Sequence, residues 1–349
     1  MKVSDLDTPV LIVDLNQLEA NIEDMDSFAE KHQLKLRPHV KAHKIPEIAL
    51  LQLAKGATGI TVAKLEEAEI MAKAGLEDIL IAYPLVGEKK LARFIKLAGR
   101  VRLSTVVDNL DQAQALGAAC AKAGLTIPVL VEIDTGLKRC GLVPDERVVG
   151  FVEKLSRISG LYFNGLLTHA GQVYGAQNLT QVKEIGIREG ESLVGIAARL
   201  RECGFKVPVV SVGSTPTAKY AGQIAGVTEI RPGNYVFNDA IQIGLGVATP
   251  KQCALKVLST VVSIPAENRA VLDAGSKTLA LDQGAHGNAV VTGFGYLPCP
   301  RGWELARLSE EHGILEAKTG AEKIRLGEKI SIIPNHACPV LNLAKEVYV

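Results

Sequence analysis

The sequence predicts an α/β protein, with a (β/α)8 TIM-type barrel over residues 15–245 and a C-terminal antiparallel β domain. Two observations lead to this fold class. From about residue 35 to 235, short β-branched or apolar runs alternate with longer amphipathic stretches; beyond Gly246 the segments become β-rich with little helical period. A doubly wound sheet is the alternative, but the Gly-rich dinucleotide loop expected after its first strand is absent from the sequence.

The barrel prediction rests on repeated strand and helix patterns. The β-branched or apolar runs predict strands at residues 35–39, 59–63, 78–83, 102–107, 128–133, 162–169, 208–212 and 228–231. The amphipathic stretches predict helices at residues 45–55, 64–74, 88–97, 110–123, 144–159 and 180–203. The active site of such a barrel lies at the carboxyl ends of its strands, so the residues that follow each strand are the candidates for chemistry.

The second predicted domain comprises residues 1–14 and 246–349. β-rich segments with turn residues predict its strands within residues 255–265, 268–277, 289–297, 304–317 and 328–343. The run at residues 8–14 precedes the first barrel helix and is expected to pair with this domain. The chain stops at Val349 in what resembles an unfinished strand pair, so we expect a few further residues beyond it.

The composition points to an enzyme with a small-molecule substrate. The 349 residues include 39 basic and 38 acidic side chains, a net charge of +1 that would gather neither nucleic acid nor anionic lipid. No apolar run reaches the ~20 residues of a membrane-spanning helix. The six cysteines form no paired framework and the first residues lack the apolar core of a signal peptide, so we expect a reduced, cytoplasmic protein.

Lys41 follows the first predicted strand, within the segment RPHVKAHK. A lysine with the usual pKa of ~10.4 is protonated at neutral pH, so a nucleophilic lysine needs neighbours that destabilise its ammonium form. The segment supplies such neighbours, and we expect Lys41 to form a Schiff base. They are Arg37, His39, His43 and Lys44. A solvated basic loop is the alternative interpretation of this segment alone.

Two loops of small residues follow the seventh and eighth predicted strands, where barrels often bind phosphate. Their backbone N–H and hydroxyl groups suit an anion, although each loop alone is also a common connector. The candidate residues are Gly213, Ser214 and Thr215 in the first loop and Arg231, Gly233, Asn234 and Tyr235 in the second. A lysine and a phosphate cradle at one barrel mouth predict pyridoxal 5′-phosphate as the cofactor.

Polar residues also follow the fifth and sixth strands. Arg139 after the fifth strand is placed to orient a cofactor ring, although surface ion pairing explains such a residue equally well. His169 ends the sixth strand and Tyr174 follows it. The position at the mouth makes His169 a candidate acid–base residue, with a packed or solvated histidine as the alternative.

The segment PNHACP carries a candidate metal pair. On a strand, residues two apart point the same way, so His336 and Cys338 are expected to converge on one divalent ion, Mn²⁺, Zn²⁺ or Mg²⁺. Two protein ligands leave coordination positions open for water and substrate. The alternative is a buried strand end in which the pair only packs. The polar segment at residues 309–313 is expected to join or flank this site.

Seven motifs, in this order, resemble the D-threonine aldolase and D-serine dehydratase family, fold-type III pyridoxal-phosphate enzymes that share the alanine racemase barrel. The motifs are RPHVKAHK, EIDTGLKRCG, SVGSTPT, EIRPGNYVF, LDAGSKTLALD, LSEEHG and PNHACPVLNL. The resemblance implies that Lys41 carries the cofactor, that Arg139 and the residues after strand six surround it, and that Arg231 faces its pyridine nitrogen. It also implies a metal at His336 and Cys338 and a homodimer with the active site at the interface.

The resemblance predicts a lyase that cleaves a D-3-hydroxy amino acid of the D-threonine type to glycine and an aldehyde, with Lys41 and His169 as catalytic residues. A D-serine or D-3-hydroxyaspartate dehydratase is the main alternative, because in this family His-x-Cys is more typical of dehydratases and His-x-Asp of aldolases. Racemases lack the terminal pair. A non-catalytic cofactor carrier would lack the β domain, and a cofactor-free sugar-phosphate aldolase would leave His336 and Cys338 unexplained.

Overall fold

A computed structural model describes residues 2–349 and divides them into two units. The barrel unit comprises Glu23–Val173 and Thr180–Gly233. The β-domain unit comprises the segment that ends at Ile22, together with Tyr174–Leu179 and Asn234–Val349. The domain boundaries that the sequence predicts, at residues 15 and 245, stay a prediction.

The strands are β1 Val10–Val13, β2 Lys35–Leu36, β3 Ile60–Val62, β4 Asp78–Ile81, β5 Arg102–Val107, β6 Ile127–Ile133, β7 Leu161–Thr168, β8 Val209–Val212, β9 Glu229–Ile230, β10 Leu255–Ala266, β11 Arg269–Leu272, β12 Gly295–Tyr296, β13 Trp303–Leu308, β14 Gly313–Ala317 and β15 Lys329–Pro334. The helices are α1 Leu15–Lys31, α2 Pro46–Lys55, α3 Leu65–Lys73, α4 Glu88–Ala98, α5 Leu110–Lys122, α6 Arg147–Leu155, α7 Leu179–Glu202, α8 Ala218–Ala221, α9 Ala240–Gly244, α10 Ser276–Leu279 and α11 Ala337–Leu343.

Strands β2 to β9 form one parallel eight-stranded sheet in the order β2-β9-β8-β7-β6-β5-β4-β3. Backbone hydrogen bonds from Thr58 N to Leu36 O (2.9 Å) and from Thr61 N to Pro38 O (2.8 Å) join the two ends of this order and close the barrel. Helices α2 to α8 follow β2 to β8 in turn. The predicted barrel is therefore confirmed, and the carboxyl ends of its strands share one rim.

An apolar cluster with one residue from each of four neighbouring strands lies in the barrel unit. Leu80, Val106, Leu130 and Leu167 are at most 3% exposed. Next to it, β7 carries a bulge just before Gly165. At Gly165 φ is +141°, and an added Cβ would overlap the carbonyl oxygen of Val209. Only glycine fits there, so this residue fixes the path of the strand that ends at the rim.

The β-domain unit contains an antiparallel sheet in the order β12-β15-β10-β11-β14-β13, with β1 also paired to β10. Val10 faces Leu258 and Val13 faces Leu255, which confirms the pairing predicted for residues 8–14. Tyr348 joins β1 through hydrogen bonds to Leu11 and Val13.

Two expectations for this unit are wrong. Residues 289–297 form a strand only at β12, because the preceding segment turns at Gly287 and Gly293, which have φ values of +83° and +66°. Helices α10 and α11 occupy stretches for which the sequence predicts strand. None of the helices within residues 2–349 is long and apolar enough to cross a membrane.

Candidate active site

Lys41 lies just beyond β2, in a single 3-10 turn over Val40–Ala42. Val40 and Ala42 are buried while Lys41 between them is half-buried, so its two neighbours fix the turn that presents the lysine at the rim. The ring of His39 accepts the backbone N–H of Lys41 at 3.4 Å. The lysine and this histidine are therefore placed together by local structure.

His39 lies near predicted site residues that follow different strands. Burial lowers the pKa of His39 well below its usual value, and the positive charges of Lys41, Arg231, His169 and Arg139 lower it further. These residues follow the first, fifth, sixth and eighth barrel strands. The structure thus brings five predicted site residues together at the rim, with a neutral imidazole among them.

Arg231 is a buried cation held by other barrel residues. Its guanidinium donates to the carbonyl oxygen of Thr168 and to Ser211 Oγ at 2.5 Å. Ser211 in turn donates to Glu229 at 2.5 Å, and Glu229 also accepts a hydrogen bond from Arg37 at 2.8 Å. Burial lowers the pKa of Arg231. Nearby carboxylates, of which Glu229 has the largest effect, oppose this change. A guanidinium remains charged at neutral pH, so Arg231 is an oriented positive group.

The loop after β8 consists of small residues, some of which form hydrogen bonds within the protein. Gly213 N donates to Glu189 at 2.8 Å, and the hydroxyls of Ser214 and Thr217 hydrogen-bond at 3.1 Å. The hydroxyl oxygen of Thr215 is buried and has no hydrogen-bond partner within residues 2–349. A buried hydroxyl without a partner is costly, so this loop suits a bound acceptor such as a phosphate.

The turn after β9 carries the remaining predicted cofactor residues. A Cβ on Gly233 would lie 2.8 Å from the carbonyl oxygen of His39, so glycine permits the close approach of these two loops. Asn234 and the buried Tyr235 belong to the β-domain unit. Pyridoxal phosphate, a phosphorylated pyridine aldehyde, requires an amine, an oriented cation and a hydroxyl that is free to bind its phosphate. The rim residues supply all three groups and therefore fit this cofactor.

His336 and Cys338 do not lie on a strand, contrary to the prediction. Strand β15 ends at Pro334 and α11 begins at Ala337, with His336 as its N-cap residue. Pro339 lacks the N–H that a strand would need but is tolerated in the first turn of a helix. The two side chains nevertheless meet. A hydrogen bond between them is one of the contacts that raise the pKa of His336.

Acidic and phenolic groups surround this pair within the β-domain unit. His336 Nδ1 lies 3.4 Å from Asp282 Oδ1. Burial alone would lower the pKa of His336, but hydrogen bonds with Asp282 and Cys338 raise it to about 10. Burial raises the pKa of Tyr174, and the nearby Asp239 and Cys338 add to this effect. The structure thus places Tyr174 in the same unit as Cys338, whereas the sequence assigns it to the cofactor.

The side chains of His336 and Cys338 fit an open metal site. Within residues 2–349 no group of three or more His, Cys, Asp or Glu side chains is arranged to hold a metal. An imidazole and a thiolate are ligands that Zn²⁺ accepts, and two protein ligands would leave positions for water and substrate. The polar segment expected to flank this site forms the β13–β14 turn, where Glu310 and Glu311 pair with Lys277 at 2.8 and 2.9 Å.

Several residues of these networks escaped the sequence analysis. Glu229 lies two residues before Arg231, and the period-two pattern of a strand is a signal that would have placed both on one side. Asp239 interrupts an apolar run, which is a signal for a buried hydrogen-bonded carboxylate. No local signal marks Ser211 or Asp282, since their partners are distant in sequence.

The fold and these residues define an alanine racemase-like barrel protein with an added β domain. Among protein families, the alanine racemase N-terminal domain matches residues 13–240 and the putative serine dehydratase domain matches residues 254–349. The chain belongs to the family of D-threonine aldolases and D-serine dehydratases that share these two parts. The predicted family is therefore confirmed.

Relatives of both predicted activities match nearly the whole chain. D-threonine aldolase from Arthrobacter sp is 34% identical over 97% of this chain and 87% of its own length. D-threo-3-hydroxyaspartate dehydratase from Delftia sp. (strain HT23) is 36% identical over 95% of this chain and 91% of its own. The crystal structure of D-threonine aldolase from Filomicrobium marinum has a TM-score of 0.90, at 34% identity over 99% and 91% of the two chains. The chain is thus a member of a family of lyases, as predicted.

Proposed function

We propose that the protein is a pyridoxal-phosphate- and divalent-metal-dependent lyase that cleaves D-3-hydroxy amino acids of the D-threonine type to glycine and an aldehyde. The observation that carries this proposal is the cluster of Lys41, His169 and Arg231 around His39 at the barrel rim. The similarity to D-threonine aldolase over nearly the whole chain supports the substrate class.

The proposed roles of the barrel residues follow from their chemistry. Lys41 anchors the cofactor through its amine, and the neighbouring cations favour the neutral, nucleophilic form of that amine. Arg231 orients the cofactor ring, and Thr215 donates its hydroxyl to the phosphate. When bound, pyridoxal phosphate supplies an electron sink for the charge left on the substrate Cα.

His169 is the proposed base that accepts the proton of the substrate β-hydroxyl. Loss of that proton allows the Cα–Cβ bond to break, with release of the aldehyde. His336 and Cys338 are the proposed ligands of the metal, which as a Lewis acid would lower the pKa of the hydroxyl group. Tyr174, which the sequence assigns to the cofactor, lies beside Cys338 and is proposed to border the substrate there.

A D-3-hydroxy amino acid dehydratase is the second candidate. Cys338 supports it, since a thiolate in place of a carboxylate is the ligand expected of the dehydratase branch, and so does the 36% identity to a D-threo-3-hydroxyaspartate dehydratase. In this alternative Lys41 removes the Cα proton and the β-hydroxyl leaves. The two candidates share all the residues named above and differ in which substrate bond breaks.

We also propose a homodimer with the active site at the subunit interface, as the family resemblance implies. A cytoplasmic location is proposed because the six cysteines are free, which suits a reducing compartment. Light scattering of the purified protein checks the first proposal. A mass corresponding to one 37.2 kDa chain contradicts it.

Product analysis tests the proposed reaction. The protein is loaded with pyridoxal phosphate and Mn²⁺ or Zn²⁺, and D-threonine and D-serine are offered separately, with a chelator as control. Glycine and acetaldehyde, lost on chelation, are the expected products. A 2-oxoacid and ammonia would instead assign the dehydratase activity, and no turnover of either substrate would contradict the proposal.

A further inference from the structure

Asp239 is a fully buried carboxylate in the β-domain unit to which we have assigned no role in the reaction. Its oxygens accept three hydrogen bonds: from Asn234 Nδ2 at 2.5 Å, from Ala337 N at 2.9 Å and from Gln242 N at 3.1 Å. Burial raises the pKa of Asp239, and these donors together with His336 oppose the change. All three contacts are N–H donors, which a carboxylate accepts and an amide could not satisfy together.

Each donor belongs to a different part of the unit. Gln242 N lies in the first turn of α9, where Asp239 is the N-cap residue. Ala337, whose N–H is the second donor, is the first residue of α11 and lies between His336 and Cys338. Asn234 lies in the turn that follows β9. A single side chain therefore caps one helix and holds the start of another, although 98 residues separate Asp239 from Ala337.

The contact to Ala337 constrains the backbone between the two proposed metal ligands. His336 itself makes no side-chain cap for α11, and the N–H of Ala337 is one of the helix-terminal groups that need an outside acceptor. Because Asp239 is that acceptor, it fixes the peptide between His336 and Cys338. A small rotation there would change the separation of the imidazole and the thiolate.

We propose that Asp239 is the positioning residue of the metal centre, holding the peptide of Ala337 so that His336 and Cys338 present their side chains to one ion. This inference rests on the proposed function, since it takes these two residues as the metal ligands. Asp239 does not itself touch the ion in this proposal. It acts through the intervening backbone, as outer hydrogen-bond partners of metal ligands commonly do.

Two substitutions separate this role from simple helix capping. Asp239→Asn keeps the shape but turns an NH₂ group towards an N–H donor. Asp239→Ser retains a good N-cap for α9, while its shorter side chain no longer reaches Ala337. Asn109→Ala is the matched control, because Asn109 caps α5 in the barrel unit by accepting from the backbone of Asp111 and Gln112.

The test measures the Zn²⁺ dissociation constant of the pyridoxal-phosphate-loaded protein by competition with a chromophoric chelator at fixed pH. Substitution of Co²⁺ adds a second readout, the thiolate-to-cobalt absorption, which reports the geometry at Cys338. Both Asp239 variants are expected to bind Zn²⁺ about 10-fold more weakly or worse and to shift the cobalt spectrum. The Asn109→Ala variant is expected to match the wild type in both readouts.

Wild-type affinity and spectrum in both Asp239 variants would overturn the inference, as would an equal loss in the Asn109→Ala control. A His336→Ala variant distinguishes this failure from that of the proposed function. If the wild type binds no Zn²⁺, or binds it as tightly without His336, the proposed metal site itself is wrong. If only His336→Ala weakens binding, the metal site stands and the role of Asp239 does not.

Discussion

His43, two residues after the proposed Schiff-base lysine, makes the stability of this protein depend on pH. The residue is 4% exposed, and its ring contacts Gln52 Oε1 at 3.3 Å and the backbone N–H of Ile45 at 3.0 Å. Burial lowers its pKa from 6.5 to about 4, despite opposing hydrogen bonds with Gln52 and Ile45. Between pH 6.5 and about 4, His43 is therefore neutral in the folded protein and protonated in the unfolded chain.

The sign and size of the effect follow from proton linkage. The unfolded chain binds the proton of His43 more readily than the folded protein does. The stabilisation that the neutral His43 contributes is therefore fully present above pH 6.5 and is lost as the pH falls towards 4. Each pKa unit corresponds to about 1.4 kcal/mol. Lowering the pH from 6.5 to about 5 spans about 1.5 units, or about 2 kcal/mol, and the whole shift of about 2.5 units is worth about 3.4 kcal/mol.

The assay compares urea unfolding of the wild type and His43→Gln at about pH 7.5 and about pH 5. The wild type is expected to lose about 2 kcal/mol relative to the variant between these two conditions. His39 also has a lowered pKa, but it is present in both proteins and cancels from the difference. A difference in unfolding free energy that stays constant within about 0.5 kcal/mol would refute the linkage.

Other perturbations test the site and the core. Lys41→Ala is expected to abolish the absorbance of the bound cofactor, and a retained Schiff-base spectrum would exclude Lys41 as the anchor. Ser211→Ala leaves the buried Arg231 without one acceptor and should lower the free energy of urea unfolding by about 1–3 kcal/mol; an unchanged midpoint would contradict this. Leu130→Ala should cost about 2–5 kcal/mol in the same assay, and a loss under about 1 kcal/mol would show that the cluster relaxes to fill the cavity.

The barrel and the cluster around His39 were predictable because parallel strands share one rim. Once the strand count is known, residues that follow different strands, such as Lys41 and Arg231, must lie at the same end. The β-branched runs and amphipathic periods mark those strands and helices locally. The sequence therefore contains enough information to assemble this part of the site.

The surroundings of His336 and Cys338 were not predictable in the same way. The apolar run of β15 suggests a strand that continues through His336, but α11 begins at Ala337, whose N–H meets Asp239. Tyr174 follows a barrel strand in sequence yet belongs to the other unit. Both outcomes depend on contacts between residues far apart in the chain, which spacing and propensity do not encode.

The pairing of β1 with β10 has a consequence for the order in which the chain is made. Val10 is translated long before its partner Leu258, and at about 5–20 residues per second the wait is on the order of 10–50 s. During that time the barrel strands emerge, while the edge of β1 remains open to other chains. A chaperone that binds this first strand during synthesis should therefore raise the yield of folded protein, whereas slow codons before Leu258 should lower it by lengthening the exposure.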